Sequence, residues 1–247
     1  FVLRINIKLK KLLIILNNFD KILIYSLFNN IAAGTEHLKF FSKIENIKTI
    51  IDIGAHNGQF ALISKYFFKN SKIYSFDPLN ESKKKYTKIL KKKNGYNFFH
   101  NAIGSKNIIA KINITKSNDS SSLLNTTKRL NKIFSNTEIV AEEKIKIKKL
   151  IDCIKKKEIK KPALLKLDVQ GYELEALKGC KELLSCFDYI YVECSFVELY
   201  ENQSLFPIIK KWLKKRKFVY KEKFNCAYDN SNKDKIIQAD FFFKNLR

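Results

Sequence analysis

At 247 residues the chain is long enough for one α/β domain with an added element and too short for two full ones. With 45% hydrophobic and 29% charged residues it can bury a sizeable core, which excludes a wholly disordered chain. The net charge of +24 invites a nucleic-acid or acidic-membrane reading, yet only Arg4, Arg129, Arg216 and Arg247 among the 48 basic residues are arginines.

A dedicated nucleic-acid reader would be richer in the planar guanidinium, which pairs bidentately with phosphate and guanine. The lysines are spread through every segment and read as a solvated surface. Cys153, Cys180, Cys186, Cys194 and Cys226 form an odd set without a C-x-x-C pair, so neither a disulfide framework nor a metal site is expected. A reducing cytoplasm is the natural setting. The chain holds no methionine and begins at Phe1, which reads as a trimmed or partial chain.

Residues 8–28, KLKKLLIILNNFDKILIYSLF, start basic and turn apolar. No stretch approaches the ~20 apolar residues of a membrane-spanning helix. Asn17, Asn18, Asp20 and Lys21 also break the unbroken run of roughly 7–15 residues that a signal peptide needs. Leu12, Leu13, Leu16, Phe19, Leu23 and Leu27 fall on one helical face. This predicts an amphipathic helix in an N-terminal helical extension over 1–46. The helix caps the main domain of 47–247, makes a peripheral membrane contact or joins a homodimer.

From residue 47 strand and helix signals alternate. IKTIIDI (47–53) predicts a strand, GQFALISKYFF (58–68) a helix, KIYSF (72–76) a second strand and the lysine-rich 80–93 a helix. YNFFHNAI (96–103) predicts a third strand, and IAKINIT (109–115) one outside the main parallel set. Residues 116–137, rich in Ser, Asn and Thr, read as a long surface excursion. ALLKLDV (163–169) is a fourth core strand, YELEALKGC (172–180) a helix and FDYIYVEC (187–194) a fifth strand. A helix over 204–216, a strand near 218–224 and IIQADFFF (236–243) close the chain. Strands separated by helices form βαβ units and a mostly parallel sheet.

In such a sheet ligands lie beyond the carboxyl ends of the strands, where the strand order switches. The residues found there are Asp52, Gly54, His56, Asn57 and Gly58, then Asp77 and Pro78, then Asn101 and Ala102, then Asp168 to Gly171, and last Glu193 to Ser195. Glycine suits a loop that turns sharply or presses on a ligand, and the helix that follows aims N–H groups at one spot. Asp77 is placed to accept hydrogen bonds from both hydroxyls of a ribose, so a nucleoside-bearing cofactor is expected. The dinucleotide G-x-G-x-x-G is absent: the spacing is Gly54-x-x-x-Gly58, with His56 in the middle. No G-K-S/T follows, so the loop is not of the Walker type.

The pattern D-x-G-x-x-x-G after a strand, with an acid closing the next strand, resembles the S-adenosylmethionine site of class I methyltransferases. LLKLDVQGYELEALKGCKELL (164–184) closely resembles the L-K-I/L-D-V-E/Q-G-x-E-x-x-x-L-x-G signature of the FkbM-type methyltransferases. YVECSFVELYENQSLF (191–206), IIQADFFF, DIGAHNGQF, SFDP and NAIGS are similar to its other blocks, and the resemblance spans roughly 47–245. It implies a Rossmann-like class I methyltransferase fold with a seven-stranded, mostly parallel sheet flanked by helices. It also implies S-adenosyl-L-methionine as cofactor and O-methylation of a hydroxyl on a sugar, glycan or secondary metabolite. Gln170 departs from the pattern where many relatives carry an acid, and Asp77 where glutamate is common.

On that reading Gly54 and Gly58 let backbone approach the methionine end of the cofactor, and His56 and Asn57 line the turn. Asp52 braces the loop by hydrogen-bonding its N–H groups and is a candidate to hold the cofactor ammonium, or else is a plain turn acid. Asp77 binds the ribose or, alternatively, caps the following helix. Asn101 and Ala102 flank the adenine. Asp168 is the general base for the acceptor hydroxyl, or else a structural acid of the QGY turn. Glu193 and Glu173 are the next candidates, with Glu173 also suited to a helix N-terminus. No metal is expected. Two other functions stay open: an RNA methyltransferase, against which the absence of an N/D-P-P-Y/F loop counts, and a non-catalytic or nicotinamide-binding Rossmann-like domain.

Overall fold

A computed structural model describes residue 26 and residues 34–90, 93–229, 232 and 234–246. Apart from Ser26, the amphipathic helix expected near 12–27 lies outside the described residues. In chain order, a 3-10 turn (Thr35–His37) and a short helix α1 (Leu38–Phe41) lead into β1 (Thr49–Ile53), α2 (Gln59–Phe67), β2 (Lys72–Phe76), α3 (Asn80–Ile89) and β3 (Tyr96–Phe99). The middle of the chain holds β4 (Ala102–Ile103), β5 (Ile108–Thr115), α4 (Lys128–Ile133) and β6 (Ile139–Lys148). Next come β7 (Ala163–Leu167), α5 (Glu173–Gly179), β8 (Tyr189–Ser195), α6 (Phe206–Lys214), β9 (Phe218–Tyr228) and β10 (Ile236–Asn245).

Seven strands form the main sheet in the order β3-β2-β1-β7-β8-β10-β9. The pairings from β3 to β8 are parallel, and β10 runs antiparallel between β8 and β9. This is the seven-stranded, mostly parallel sheet expected. The order reverses at β1, between β2 and β7, and the switch point lies there.

Every residue of β1 and of β7 is buried, because helices cover both faces of the sheet and central parallel strands carry unbroken apolar runs. One face packs Ile51, Leu165, Val192 and Phe241 against Ala176 and Leu177 of α5 and Ile209 and Leu213 of α6. The other packs Ile50, Leu164, Tyr191 and Phe242 against α2 and against Phe40 and Phe41 of α1. Phe40 lies flat on Tyr191, with ring centroids 3.9 Å apart. Residues just before β1 are therefore part of the core that supports the site. Among the described residues no helix is long and apolar enough to cross a membrane.

Three expectations change. The strand expected over 96–103 is two: β3 joins the main sheet and β4 a second one, because the chain turns at Asn101, whose N–H donates to the Phe99 carbonyl at 3.0 Å. The IAKINIT strand does stand outside the main set, in a three-stranded sheet ordered β4-β6-β5. Its partner β6 was not expected, since only Ile145 and Ile147 of this charged strand are buried, packing with Ile112 and Leu79. Finally, 116–137 is not simply a surface excursion. Its helix α4 seats Leu130 on Leu199, Tyr200 and Ile237. Ahead of that helix, Asn118, Asp119 and Ser121 to Leu123 reach the carboxyl end of the main sheet.

Candidate functional site

The chain passes from β1 to α2 through residues 54–58. The Gly54 and Ala55 N–H groups both donate to the Phe76 carbonyl, at 2.9 and 3.1 Å, which holds this loop over the end of β2. Gly54 has φ +76, and a Cβ there would lie 1.7 Å from the Asp168 carbonyl oxygen. Glycine is needed because β1 and β7 bring their ends into contact. Gly58 caps α2 at φ +89, and its missing Cβ faces Leu90 and Tyr86 of the α3 segment. Gly54 lines a cavity of about 290 Å³ at the switch point; Gly58 is not among the residues that line it.

Asp77, buried at the end of β2, is held by the same loop. Its Oδ2 accepts the His56 N–H at 2.9 Å and its Oδ1 the Leu79 N–H at 3.0 Å. Burial raises its pKa, while the Leu79 and His56 N–H groups favour the carboxylate. The helix-capping alternative is met only in part, since the N-cap of α3 is Leu79. A carboxylate has about four acceptor positions, so the two backbone bonds and the Ser82 hydroxyl still leave room for a further hydroxyl donor.

A row of polar side chains then crosses one face of the sheet. Asp52 on β1 is in register with Lys166 on β7, Lys166 with Tyr191 on β8, and Glu193 with Asp240 on β10. The Lys166 Nζ donates to the Gly54 carbonyl at 2.9 Å and lies 3.2 Å from Asp52 Oδ1 and 3.9 Å from Asp168 Oδ2. Neither Asp52 oxygen takes an aligned hydrogen bond, so the 3.2 Å contact is charge pairing. Asp52 therefore braces the loop through Lys166 rather than by the loop N–H groups expected. Burial alone would lower the Lys166 pKa, but Asp52 and Asp168, with Asp240 beyond, outweigh it and raise it. Lys166 stays an ammonium ion in the interior.

Farther along the row, the Tyr191 hydroxyl donates to Asp240 Oδ2 at 2.9 Å, and Asn225 Nδ2 donates to the same oxygen at 2.7 Å. His37 Nδ1 sits 3.3 Å from the Tyr191 oxygen. Burial, with help from Lys166, lowers the His37 pKa to about 3, so the imidazole is neutral. Burial raises Asp240 to about 6.

Beyond β7 the chain turns through Gln170, a non-glycine residue at φ +53. Backbone strain of this kind often marks a functional turn. The Gln170 Nε2 donates to Asp168 Oδ1 at 2.7 Å and to Glu193 Oε2 at 3.1 Å, and the Tyr200 hydroxyl donates to Gln170 Oε1 at 2.8 Å. The amide thus joins the two carboxylates. Burial, then Asp168, Asp240 and Glu173, raise Glu193 well above the usual range.

Glu173 is buried under this turn, and its Oε1 accepts the Val169 and Gly171 N–H groups at 3.2 and 3.0 Å. Burial raises its pKa to about 7 against those bonds. The folded state therefore keeps a proton that the unfolded chain releases near pH 4.5. The stability this group contributes is present below that pH and is lost as pH rises through about 7. Glu173→Gln is expected to remove up to about 3 kcal/mol of that pH dependence. Urea unfolding of both proteins at pH 5 and pH 8 checks this, and equal slopes would refute it.

The structure brings Gly54, His56, Asp77, Ala102, Asp168 and Glu193 together around one cavity. Asn57 and Asn101 are not among its lining residues: Asn57 Oδ1 is buried without a hydrogen-bond partner, and Asn101 Nδ2 donates to the Ala102 carbonyl at 2.9 Å. Lys166, His37, Gln59, Asn225, Asp240 and the turn near 118–123 also line it and were not anticipated. Lys166 and Asp240 had a usable signal, a charge set inside an apolar strand. His37 had none. Among the described residues no group of three or more His, Cys, Asp or Glu side chains is arranged to hold a metal ion.

The sequence profile of the methyltransferase FkbM domain matches residues 52–220. Among curated proteins no sequence matches. Solved structures with a similar fold include an uncharacterized protein from Listeria monocytogenes serotype 4b, with TM-score 0.50, 8% identity and coverage of 87% of this chain and 68% of that one. An rRNA methylase from Streptococcus thermophilus gives TM-score 0.44, 11% identity and coverage of 85% and 93%. Aeropyrum pernix fibrillarin, solved with natively bound S-adenosyl-L-methionine, gives TM-score 0.45, 8% identity and coverage of 90% and 73%.

Proposed function

The chain belongs to the FkbM methyltransferase family, and we propose that it moves the methyl group of S-adenosyl-L-methionine onto a hydroxyl oxygen of a sugar, glycan or secondary metabolite. One observation carries the reading: a single cavity joins Asp77, which closes β2, to Asp168, Gln170 and Glu193 beyond β7 and on β8. The residues present fit the cofactor. Asp77 keeps an acceptor position for a ribose hydroxyl, Ala102 and Ile103 give an apolar wall for a base, and the carboxylate lining suits a cationic sulfur. Bound there, S-adenosyl-L-methionine supplies a methyl group activated by its positive sulfur.

An alcohol must shed its proton as its oxygen takes the methyl group, and Asp168 is the acceptor for that proton. Gln170 fixes the Asp168 carboxylate through its N–H, and the raised pKa of Glu193 disfavours a second negative charge beside it. Holding the oxygen about 3 Å from the methyl carbon supplies much of the rate.

The lining also bears on the acceptor. Glu36, Asp77, Asp119, Asp168 and Asp240 face a single lysine, Lys166. Such a wall repels phosphate and favours a neutral polyol, whatever the +24 charge of the whole chain. A reducing cytoplasm suits the five free cysteines. The test is methyl-labelled S-adenosyl-L-methionine offered with neutral sugars and glycans in one series and RNA in another. Label is expected in the sugar series. Salt-sensitive label in RNA instead would overturn the acceptor class.

A further inference from the structure

We infer that the arm of the cavity between Glu36, His37, Gln59, Lys166 and Asp240 holds the α-amino-acid end of S-adenosyl-L-methionine, with Lys166 as the partner of its carboxylate. The inference rests on the cofactor assignment above and adds where its charged tail goes. The arm is walled by the 35–37 turn, the start of α2, β7, β9 and β10. An α-amino acid is a zwitterion, and the arm offers both complements. Lys166 is the single ammonium ion among the lining residues. Of its three N–H donors one is bonded to the Gly54 carbonyl, Asp52 is held by charge pairing at 3.2 Å, and Asp168 at 3.9 Å is beyond hydrogen-bond reach, so donor capacity remains.

The other complement is a set of acceptors. Because the Tyr191 hydroxyl spends its proton on Asp240, the network assigns the His37 proton to Nδ1 and leaves Nε2 as an acceptor. Glu36 and Asp240 add carboxylates on the same wall. A neutral imidazole between two carboxylates suits an ammonium group and repels an anion. A carboxylate entering the arm is thus drawn to Lys166 alone. A neutral polyol would leave this charge pattern unanswered, which places the acceptor nearer Asp168.

Calorimetric titration of four ligands tests this: S-adenosyl-L-methionine, its decarboxylated form, S-adenosylhomocysteine and 5′-methylthioadenosine, which lacks the amino-acid end. The wild-type protein is expected to bind decarboxylated S-adenosylmethionine at least about tenfold more weakly than the parent, the size of one charged hydrogen bond. Lys166→Met should erase that difference, with 5′-methylthioadenosine binding measured on the same variant as the reference for any change in the loop that Lys166 braces; circular dichroism reports that the variant is folded. Asp240→Asn should weaken the parent and the decarboxylated form together. Equal wild-type affinity for those two ligands overturns the inference even if no variant folds, and so does a gap that survives in Lys166→Met. Binding of 5′-methylthioadenosine with no gain from the amino-acid end defeats this inference alone. Failure of all four ligands to bind defeats the cofactor assignment as well.

Discussion

Asp168→Asn is expected to lower methyl transfer by about 10²- to 10⁴-fold, the contribution of a positioned base, with little change in cofactor affinity. Asparagine keeps the shape and can still accept the Gln170 N–H that Asp168 Oδ1 takes at 2.7 Å. The loss therefore isolates proton acceptance from positioning. Glu193→Gln is expected to cost far less, because burial and the charges of Asp168, Asp240 and Glu173 raise Glu193 well above the usual range and so favour its neutral form, which glutamine mimics. Single-turnover rates for both variants against one acceptor decide the matter. Equal losses would mean that the pair works as one unit, and a larger loss at Glu193 would reverse the roles.

Gly54→Ala is expected to cost about 3 kcal/mol or more, since it forces a non-glycine residue to positive φ and adds a backbone clash. The built Cβ meets the Asp168 carbonyl oxygen at 1.7 Å, and that atom belongs to the backbone, so it cannot swing aside as a side chain would. Relief requires β1 and β7 to part at their carboxyl ends, where Lys166 also bridges them through the Gly54 carbonyl. The change should therefore lower stability and ligand affinity together. Urea unfolding measures the first, and a loss below about 1 kcal/mol would show that the strands separate easily.

The main sheet was legible because its central strands are buried on both faces, so TIIDI and ALLKL stand out as apolar runs closed by Asp52 and Asp168 or the residues beside them. The loop with Gly54 followed from where TIIDI stops, and the acid Asp77 from where KIYSF stops. β6 was illegible for the opposite physical reason: eight of its ten residues face water or the boundary, and its two buried isoleucines gain their environment from Leu79 and Ile112 far away in sequence. The 118–123 turn gave no apolar period either. Its place in the cavity wall is set by tertiary bonds, with Ser122 Oγ donating to the Gln170 carbonyl at 2.6 Å and the Tyr200 hydroxyl lying 3.0 Å from the Ser120 carbonyl.

Site residues divide along the same line. Asp77 and Asp168 sit at strand ends, which a sequence can mark. Lys166 and Asp240 sit inside strands, and their charges become intelligible only when the register sets Asp52 beside Lys166 and Glu193 beside Asp240. His37 reaches the cavity because α1 packs Phe40 on Tyr191, a contact between residues far apart in the chain.

Asp77 tests the central claim most directly. Titration of S-adenosylhomocysteine into the wild-type protein and into Asp77→Ala, each confirmed folded by circular dichroism, compares the two affinities without needing an acceptor. The account predicts saturable binding to the wild type and at least about tenfold weaker binding to the variant, the loss of one or more charged hydrogen bonds to ribose. No binding to folded wild-type protein, or equal binding to both, would contradict it.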